Sequence, residues 1–443
     1  MIKHDIVIVG GGPGGYVTAA RASGKGRSVL LVEKAELGGV CLNSGCIPTK
    51  CLLGSAKLYA RAKSGARFGV AGDGLKFDMA KAQEWKDSTI KILRGNIELL
   101  MKSKGVEVVR GEAEFLSPHE IRVDGKAREA ESLVIATGSK YLPVPFPVSG
   151  NRMLTSTEAL GLREVPARVA VIGAGAVGLE FASLFANLGA KVSVIELLPE
   201  IAPFMDTVVA AALRRAMPEV EFHLSCPVES VTGGTVTFIQ DGKTIKVEAD
   251  VVLIATGRRA VTTGMEKLGL DITKTGIKVD DRMRTSVPGV YAVGDVNGLS
   301  LLAHSASRMG EVAADAICGG RDRMRLDAIP WVLYGTTEVA GVGLTEQEAK
   351  AKGLNIKTAR VPMRGNGRFL AEHGNEPGLC KVVVDAETGV VRGVHLMGAD
   401  CSEMIFAAAL MIEAELRAKD VREVVFPHPT VSEVLREAFA VLE

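Results

Sequence analysis

The sequence predicts an α/β protein in which two doubly wound βαβ units precede a smaller α+β unit. Three observations predict it. Residues 5–33, "DIVIVGGGPGGYVTAARASGKGRSVLLVE", run as an apolar strand, a glycine turn, an Ala-rich amphipathic helix, a second apolar strand and a terminal acid; residues 168–196, "RVAVIGAGAVGLEFASLFANLGAKVSVIE", repeat that order. Two further apolar strands echo each other at "LVIATGSK" (133–140) and "VLIATGRR" (253–260). Beyond residue 335 the pattern changes to two strands around an Asp/Thr/Gly turn, "CKVVVDAETGVVRGVHLMG" (380–398), and then to one amphipathic helix over 400–418 and another over 430–442.

The repeated unit carries a physical signature. Gly10, Gly12 and Gly15 form G-x-G-x-x-G in the first copy, and Gly173, Gly175 and Gly178 form it in the second; Glu33 and Glu196 each lie 23 residues beyond the first glycine. The first glycine permits a tight turn, the second lets backbone approach a pyrophosphate, and the third lets helix pack on strand. The helix N-terminus offers N–H groups and positive dipole to phosphates, and the terminal acid meets a ribose hydroxyl. A single such motif could be a packing turn. The whole unit, present twice at one spacing, reads as two Rossmann-like dinucleotide-binding domains. No basic residue stands beside Glu196 in "IELLPE", so a 2′-phosphate would be repelled and the second site favours NAD over NADP.

Composition bounds the rest. A chain of 443 residues is too long for one ordinary core and points to about three domains. Apolar residues make up 47% and charged residues 24%, a soluble globular balance. Lys plus Arg total 53 against 52 for Asp plus Glu, which argues against a nucleic-acid-binding or polybasic membrane surface. No apolar run approaches the roughly 20 residues of a membrane helix. The N-terminal "MIKHDIVIVGGGPGGY" lacks the long apolar stretch and cleavage site of a secretory signal. A cytoplasmic location is expected, with an organelle-targeting piece already removed left open.

Cys41 and Cys46 have four residues between them in "GGVCLNSGCIPTK" (38–50), among seven cysteines in all. A close pair in such a chain reads as redox or metal chemistry; metal is the weaker option, because no second Cys/His cluster stands at ligand spacing, and none is expected. In "VYAVGDVNG" (290–298), Asp295 follows Gly294 and reads either as a turn residue or as an acceptor for a sugar-like hydroxyl chain. His428 lies between two prolines in "FPHPTVSE", and Thr430–Glu433 spell the T-x-x-E of a capping box at the start of the last helix. The helices after residue 400 suit an oligomer interface and ordinary core packing equally.

Together the two dinucleotide units, the C-x-x-x-x-C stretch, Gly294-Asp295 and "FPHPTVSE" resemble the pyridine nucleotide–disulfide oxidoreductases, in the right order over nearly the whole chain. The resemblance implies an FAD-binding domain at 1–147, an NAD-binding domain at 148–270, a central segment at 271–335 completing the FAD site, and a dimerisation domain at 336–443. Carried over by position, FAD would rest on Gly10, Gly12 and Gly15 with Glu33 at its adenosine ribose. Lys50 would lie beside the flavin and pair with Glu180; Gly111, Thr137, Gly138 and Ser139 would touch the cofactor. Asp295 would bind the ribityl chain, and Leu302, Ala303 and His304 would bracket the flavin. NAD would use Gly173, Gly175, Gly178, Glu180, Glu196, Val228 and Gly257.

The resemblance also implies a reaction. Cys41 would be the exchanging thiol of a redox disulfide and Cys46 the sulfur nearer the flavin, with a helix dipole lowering the thiolate pKa. His428 would act as base, oriented by Glu433, and would reach the cysteines of the other subunit in a homodimer whose active site is shared. The substrate would be a dihydrolipoyl group on a carrier protein. The alternatives are a sister reductase of another small disulfide or a metal, and a flavoprotein scaffold with an idle dithiol. Two departures touch the substrate mouth: Phe426 stands where the family has His, and "YGTTEVAGVG" (334–343) replaces a Thr-x-Pro-Glu pattern.

Overall fold

The computed structural model describes residues 2–72, 74–150 and 152–442. The chain forms two compact units: Met1–Cys51, Ala80–Pro143 and Gly257–Met324 make the first, and Leu52–Met79, Val144–Thr256 and Arg325–Glu443 the second.

The first unit is organised by five parallel strands in the order Glu107–Arg110, Val29–Glu33, Ile2–Val9, Lys126–Ile135 and Val290–Ala292. Ile6 pairs with Val29 on one side and Ser132 on the other. Ile6, Val7 and Ile8 are all fully buried, as expected of a parallel strand covered on both faces. Glu120–Val123 and Ala113–Ser117 extend the sheet antiparallel from the start of Lys126–Ile135. The helix Pro13–Ser23 packs on the helix Ala303–Ile317; a Cβ at Gly310 would stand 2.6 Å from the Gly14 carbonyl oxygen, so the approach requires glycine.

The second unit repeats the arrangement. Its parallel strands run in the order Val220–His223, Lys191–Ile195, Arg168–Ile172, Val251–Ile254 and Met153–Leu154. Beside them lies a small sheet of Lys243–Glu248, Thr235–Gln240 and Val228–Thr232, edged by Val148–Ser149. The C-terminal part is an antiparallel sheet in the order Trp331–Leu333, Val339–Gly343, Val391–Met397, Leu379–Asp385 and Ile356–Pro362. Met404 and Ile405 from one helix, and Leu435 and Phe439 from another, close its core.

Both C-terminal helices are shorter than their sequence pattern. The first spans Cys401–Glu413 instead of 400–418. Glu415 takes a left-handed φ of 53°, and a new helix starts at Ala418; apolar periodicity ran through the turn without marking it. The last helix spans Glu433–Ala440.

One buried polar cluster joins the two parts of the second unit. Lys381, 4% exposed, donates to fully buried Asp206 at 2.8 Å and to Glu346 at 2.6 Å. Hydrogen bonds from Lys350 and Lys381 hold the Glu346 carboxyl at about 2, well below its ordinary value. Burial works to raise Asp206, but the Lys381 hydrogen bond and charge outweigh it and keep that carboxyl low as well. Carboxyls depressed by folding stabilise the fold above their unfolded pKa and lose that contribution as pH falls through the folded value. Urea unfolding should therefore show stability falling between roughly pH 4.5 and pH 2. Lys381→Met, which strands Asp206, should lower stability at neutral pH by about 3–5 kcal/mol.

Candidate active site

The two glycine turns are built alike. Gly10 has φ 110° and Gly173 φ 102°, values a side chain rarely adopts. A Cβ on Gly10 would sit 2.2 Å from the Ala136 oxygen, and one on Gly173 2.6 Å from the Ala255 oxygen. The Ala-Thr-Gly strand ends thus lie directly against the turns. A Cβ on Gly15 would collide with the Gly10 oxygen at 1.8 Å, and one on Gly178 with the Gly173 oxygen at 2.0 Å. The middle glycines differ: Gly12 has nothing nearer than the Gly39 Cα at 3.8 Å, and Gly175 has open space. Packing does not require glycine there, and the open space leaves room for a ligand to approach the backbone.

The helices that follow, Pro13–Ser23 and Ala176–Asn187, begin without a side-chain cap and without an acid in the first turn. Their leading N–H groups are left for an anion. Glu33 accepts from Gly11 N–H at 2.6 Å and Ala35 N–H at 2.8 Å; Glu196 accepts from Ala174 N–H at 2.6 Å and Leu198 N–H at 2.8 Å. Each carboxylate is oriented at the end of its strand with lone pairs to spare. These residues fit two dinucleotides: FAD would be held by Gly10–Gly15 and Glu33, and NAD by Gly173–Gly178 and Glu196.

Around the first turn, Gly111 N–H donates to the Glu33 carbonyl at 3.0 Å. Thr137 donates to the Val261 carbonyl at 2.8 Å, and Gly138 has φ 72° with open space beside it. Ser139 donates to Asp295 Oδ2 at 2.5 Å. Burial raises the Asp295 carboxyl, opposed by Ser139 and by the charge of Arg258. Arg258, which sequence reasoning missed, donates to Ser139 Oγ at 2.8 Å and to its carbonyl at 2.7 Å while stacking on Tyr141. Leu302 precedes, and Ala303 and exposed His304 open, the helix Ala303–Ile317.

Cys41 lies in the short helix Gly39–Ser44, and Cys46 opens the helix Cys46–Lys63, with Lys50 one turn further on. Cys41 is hydrogen-bonded to Cys46. The two side chains are thus in contact. The Cys41 thiol is pushed up, first by the hydrogen bond to Cys46, then by burial and by the charge of Cys46, with Lys50 opposing. Two adjacent thiols titrate as a pair, and the second proton is held tightly once the first has left.

The segment Gly38–Gly39 leans on the glycine turn. Gly38 N–H donates to the Gly11 carbonyl at 2.8 Å, and a Cβ on Gly39 would meet the Gly12 Cα at 2.7 Å. The dithiol is thereby fixed to the first dinucleotide turn within one unit.

In the second unit, His428 Nδ1 lies 3.1 Å and 3.2 Å from the two Glu433 oxygens, and the His428 side chain is 79% exposed. Glu433 also accepts Thr430 N–H at 3.0 Å. Thr430 and His428, in that order, hold its carboxyl below the ordinary value. The expected T-x-x-E box does not open the helix, which begins at Glu433 with Ser432 at its N-cap, and the Thr430 hydroxyl turns to the Pro427 carbonyl; the Glu433 carboxylate takes the Thr430 N–H and the His428 ring together. Phe426 packs against the C-terminal core.

The departing segment runs along the helix Ala176–Asn187. Tyr334 N–H donates to buried Glu180 at 3.1 Å, Thr336 donates to Asn187 at 3.1 Å, and a Cβ on Gly335 would stand 2.9 Å from Ser183 Oγ. Val228 opens the strand Val228–Thr232, and Gly257 has φ 113°.

The contrast between glycines is testable. Gly178→Ala should prevent normal folding, seen as loss of the cooperative thermal transition. Gly175→Ala should melt as the parent does yet bind NADH at least tenfold more weakly in a fluorescence titration, about 1.4 kcal/mol.

Comparison with known proteins bears on these features. Residues 4–310 match the model of the pyridine nucleotide-disulphide oxidoreductases, and residues 329–439 match the dimerisation domain of the same group. A dihydrolipoyl dehydrogenase of Geobacillus stearothermophilus is 40% identical over 99% of this chain and 96% of its own. One from Thermus scotoductus is 41% identical over 99% and 97%. Among solved structures, LpdA of Mycobacterium tuberculosis superposes with a TM-score of 0.90 at 26% identity, covering 100% of both chains. The HOCl-induced flavoprotein disulfide reductase RclA of Escherichia coli superposes at 0.87 with 27% identity, covering 99% of this chain and 100% of its own. No helix among the described residues is long and apolar enough to cross a membrane. The chain belongs to the pyridine nucleotide–disulphide oxidoreductase family, enzymes that work with FAD and NAD(H).

Proposed function

We propose that this chain is a dihydrolipoyl dehydrogenase, oxidising a carrier-borne dihydrolipoyl group to its cyclic disulfide and passing two electrons to NAD+. The observation that carries the reading is the Cys41–Cys46 contact at the start of an 18-residue helix, anchored to the first glycine turn. Full-length likeness to several dihydrolipoyl dehydrogenases supports the substrate.

The residues serve the exchange as follows. A substrate thiolate attacks Cys41 of the Cys41–Cys46 disulfide, forming a mixed disulfide and releasing Cys46 as thiolate. The second substrate sulfur then displaces Cys41, and the lipoyl ring disulfide leaves. His428 takes the proton of one substrate thiol, the proton of the other passes to Cys41 as that sulfur is displaced, and Glu433 orients the Nδ1 of the ring. FAD, when bound, supplies the two-electron link between the pair and the nicotinamide. Glu196, unaccompanied by a cation, selects NAD+ by its ribose hydroxyls. His428 serves the redox pair of a second copy of the chain, so the active unit is a homodimer, to which the matched dimerisation domain contributes the interface.

A second reading, reduction of another disulfide, draws on the likeness to RclA, but at 27% identity against 40% for the dihydrolipoyl dehydrogenase. Steady-state assays decide between them. FAD-loaded protein should oxidise dihydrolipoamide with NAD+; inertness there with turnover of a different disulfide would overturn the first reading. Cys46→Ser should abolish that turnover while FAD stays bound. Glu196→Arg should weaken NAD+ and strengthen NADP+, each by about tenfold in kcat/KM, about 1.4 kcal/mol apiece.

A further inference from the structure

The dithiol sits on two pieces of helix joined at Gly45. Cys41 belongs to the six-residue helix Gly39–Ser44, and Cys46 to the long helix that follows. A helix of six residues is not stable by itself, so something must fix the Cys41 side of the pair. Asn43, between the two cysteines, is the residue that does so. Its amide nitrogen donates to the carbonyls of Gly39 at 2.9 Å, Leu37 at 3.0 Å and Glu36 at 3.4 Å. Its oxygen accepts two hydrogen bonds from Arg94, from Nε at 3.1 Å and from Nη2 at 2.7 Å.

Arg94 lies on the helix Met79–Ser103, 51 residues away in the chain. It also pairs with Glu36 at 3.7 Å, and Glu36 is gripped by both arms of Arg110 at 3.0 Å and 2.7 Å. The Asn43 amide is thus satisfied on both sides, and its orientation is fixed. Aspartate in its place would turn an acceptor toward three carbonyls; lysine at 94 could not fork.

We propose that Asn43 and Arg94 are positioning residues that set the stability of the Cys41–Cys46 disulfide. Holding the short helix still raises the effective concentration of one sulfur at the other. Neither residue touches a reacting atom. The equilibrium concerned is balanced: two protein thiols and one glutathione disulfide give one protein S–S bond and two glutathione thiols. The inference rests on the reading of Cys41 and Cys46 as a redox pair, but it does not depend on the identity of the substrate.

The test is a glutathione redox titration of the FAD-loaded protein, read by alkylation of free thiols and mass spectrometry, with a thermal melt alongside. Asn43→Ala and Arg94→Met should each lower the equilibrium constant for disulfide formation about tenfold, equivalent to a potential about 30 mV less negative. Arg94→Lys should fall between Arg94→Met and the parent, and keeps the test available should Asn43→Ala fail to fold. The double variant should match the worse single one, because the two residues act as one unit. Potentials equal to the parent's, whether or not the melting temperature drops, would overturn the proposal, as would effects that simply add. A parent protein in which the pair never closes under any glutathione ratio would instead overturn the redox-pair reading itself.

Discussion

The Gly11 peptide is held at both of its polar ends. Its N–H donates to Glu33 at 2.6 Å, and its carbonyl accepts Gly38 N–H at 2.8 Å. A strand-end acid, a glycine turn and the cysteine segment are thereby strung on one hydrogen-bonded line. Were the turn to open, the anion-facing helix start and the dithiol would lose their common reference. The second unit uses the same device: Ala174 N–H is held by Glu196 at 2.6 Å, and its carbonyl accepts Ala202 N–H at 2.9 Å. There the segment that leans on the turn carries no cysteine pair. The chemistry of each copy is set by what is hung from its turn rather than by the turn.

The parallel strands explain why these turns can be so tight. Both sheets bury apolar strands on two faces, and both place an Ala-Thr-Gly strand end within van der Waals reach of the first glycine. Small residues on one side and a missing Cβ on the other leave the crossover helix free to start against the sheet. That closeness directs the first N–H groups of the helix outward at the strand ends, where α/β sheets receive ligands.

Much of this was legible in the sequence because it is local. The duplicated strand–turn–helix–strand–acid unit, the C-x-x-x-x-C stretch and the Asp/Thr/Gly hairpin each declare themselves within about thirty residues. Glu433 was readable in two ways, as the end of a capping box and as histidine partner; the helix starts at Glu433 itself, with Ser432 at the N-cap, and its carboxylate meets the His428 ring. What could not be read is what crosses the chain. Arg94 meets Asn43 from 51 residues away, and Arg258 braces Ser139 from 119 away; neither arginine stands in a motif. The break after Glu413 was hidden because Glu415 supplies the left-handed turn that glycine usually marks. The upward push on the Cys41 thiol depends on its contact with Cys46 and on burial, which only the folded chain supplies.

Glu433 uses one carboxylate to accept both the backbone of Thr430 and the ring of His428. The terminal helix and the imidazole consequently share an anchor, and neither can be adjusted alone. Substitutions that loosen the first turn of that helix also swing the ring, so heat resistance and the placement of the imidazole become correlated traits. A lineage adapting to a hotter or colder habitat would have to retune both at once, or recruit a second acceptor to separate them.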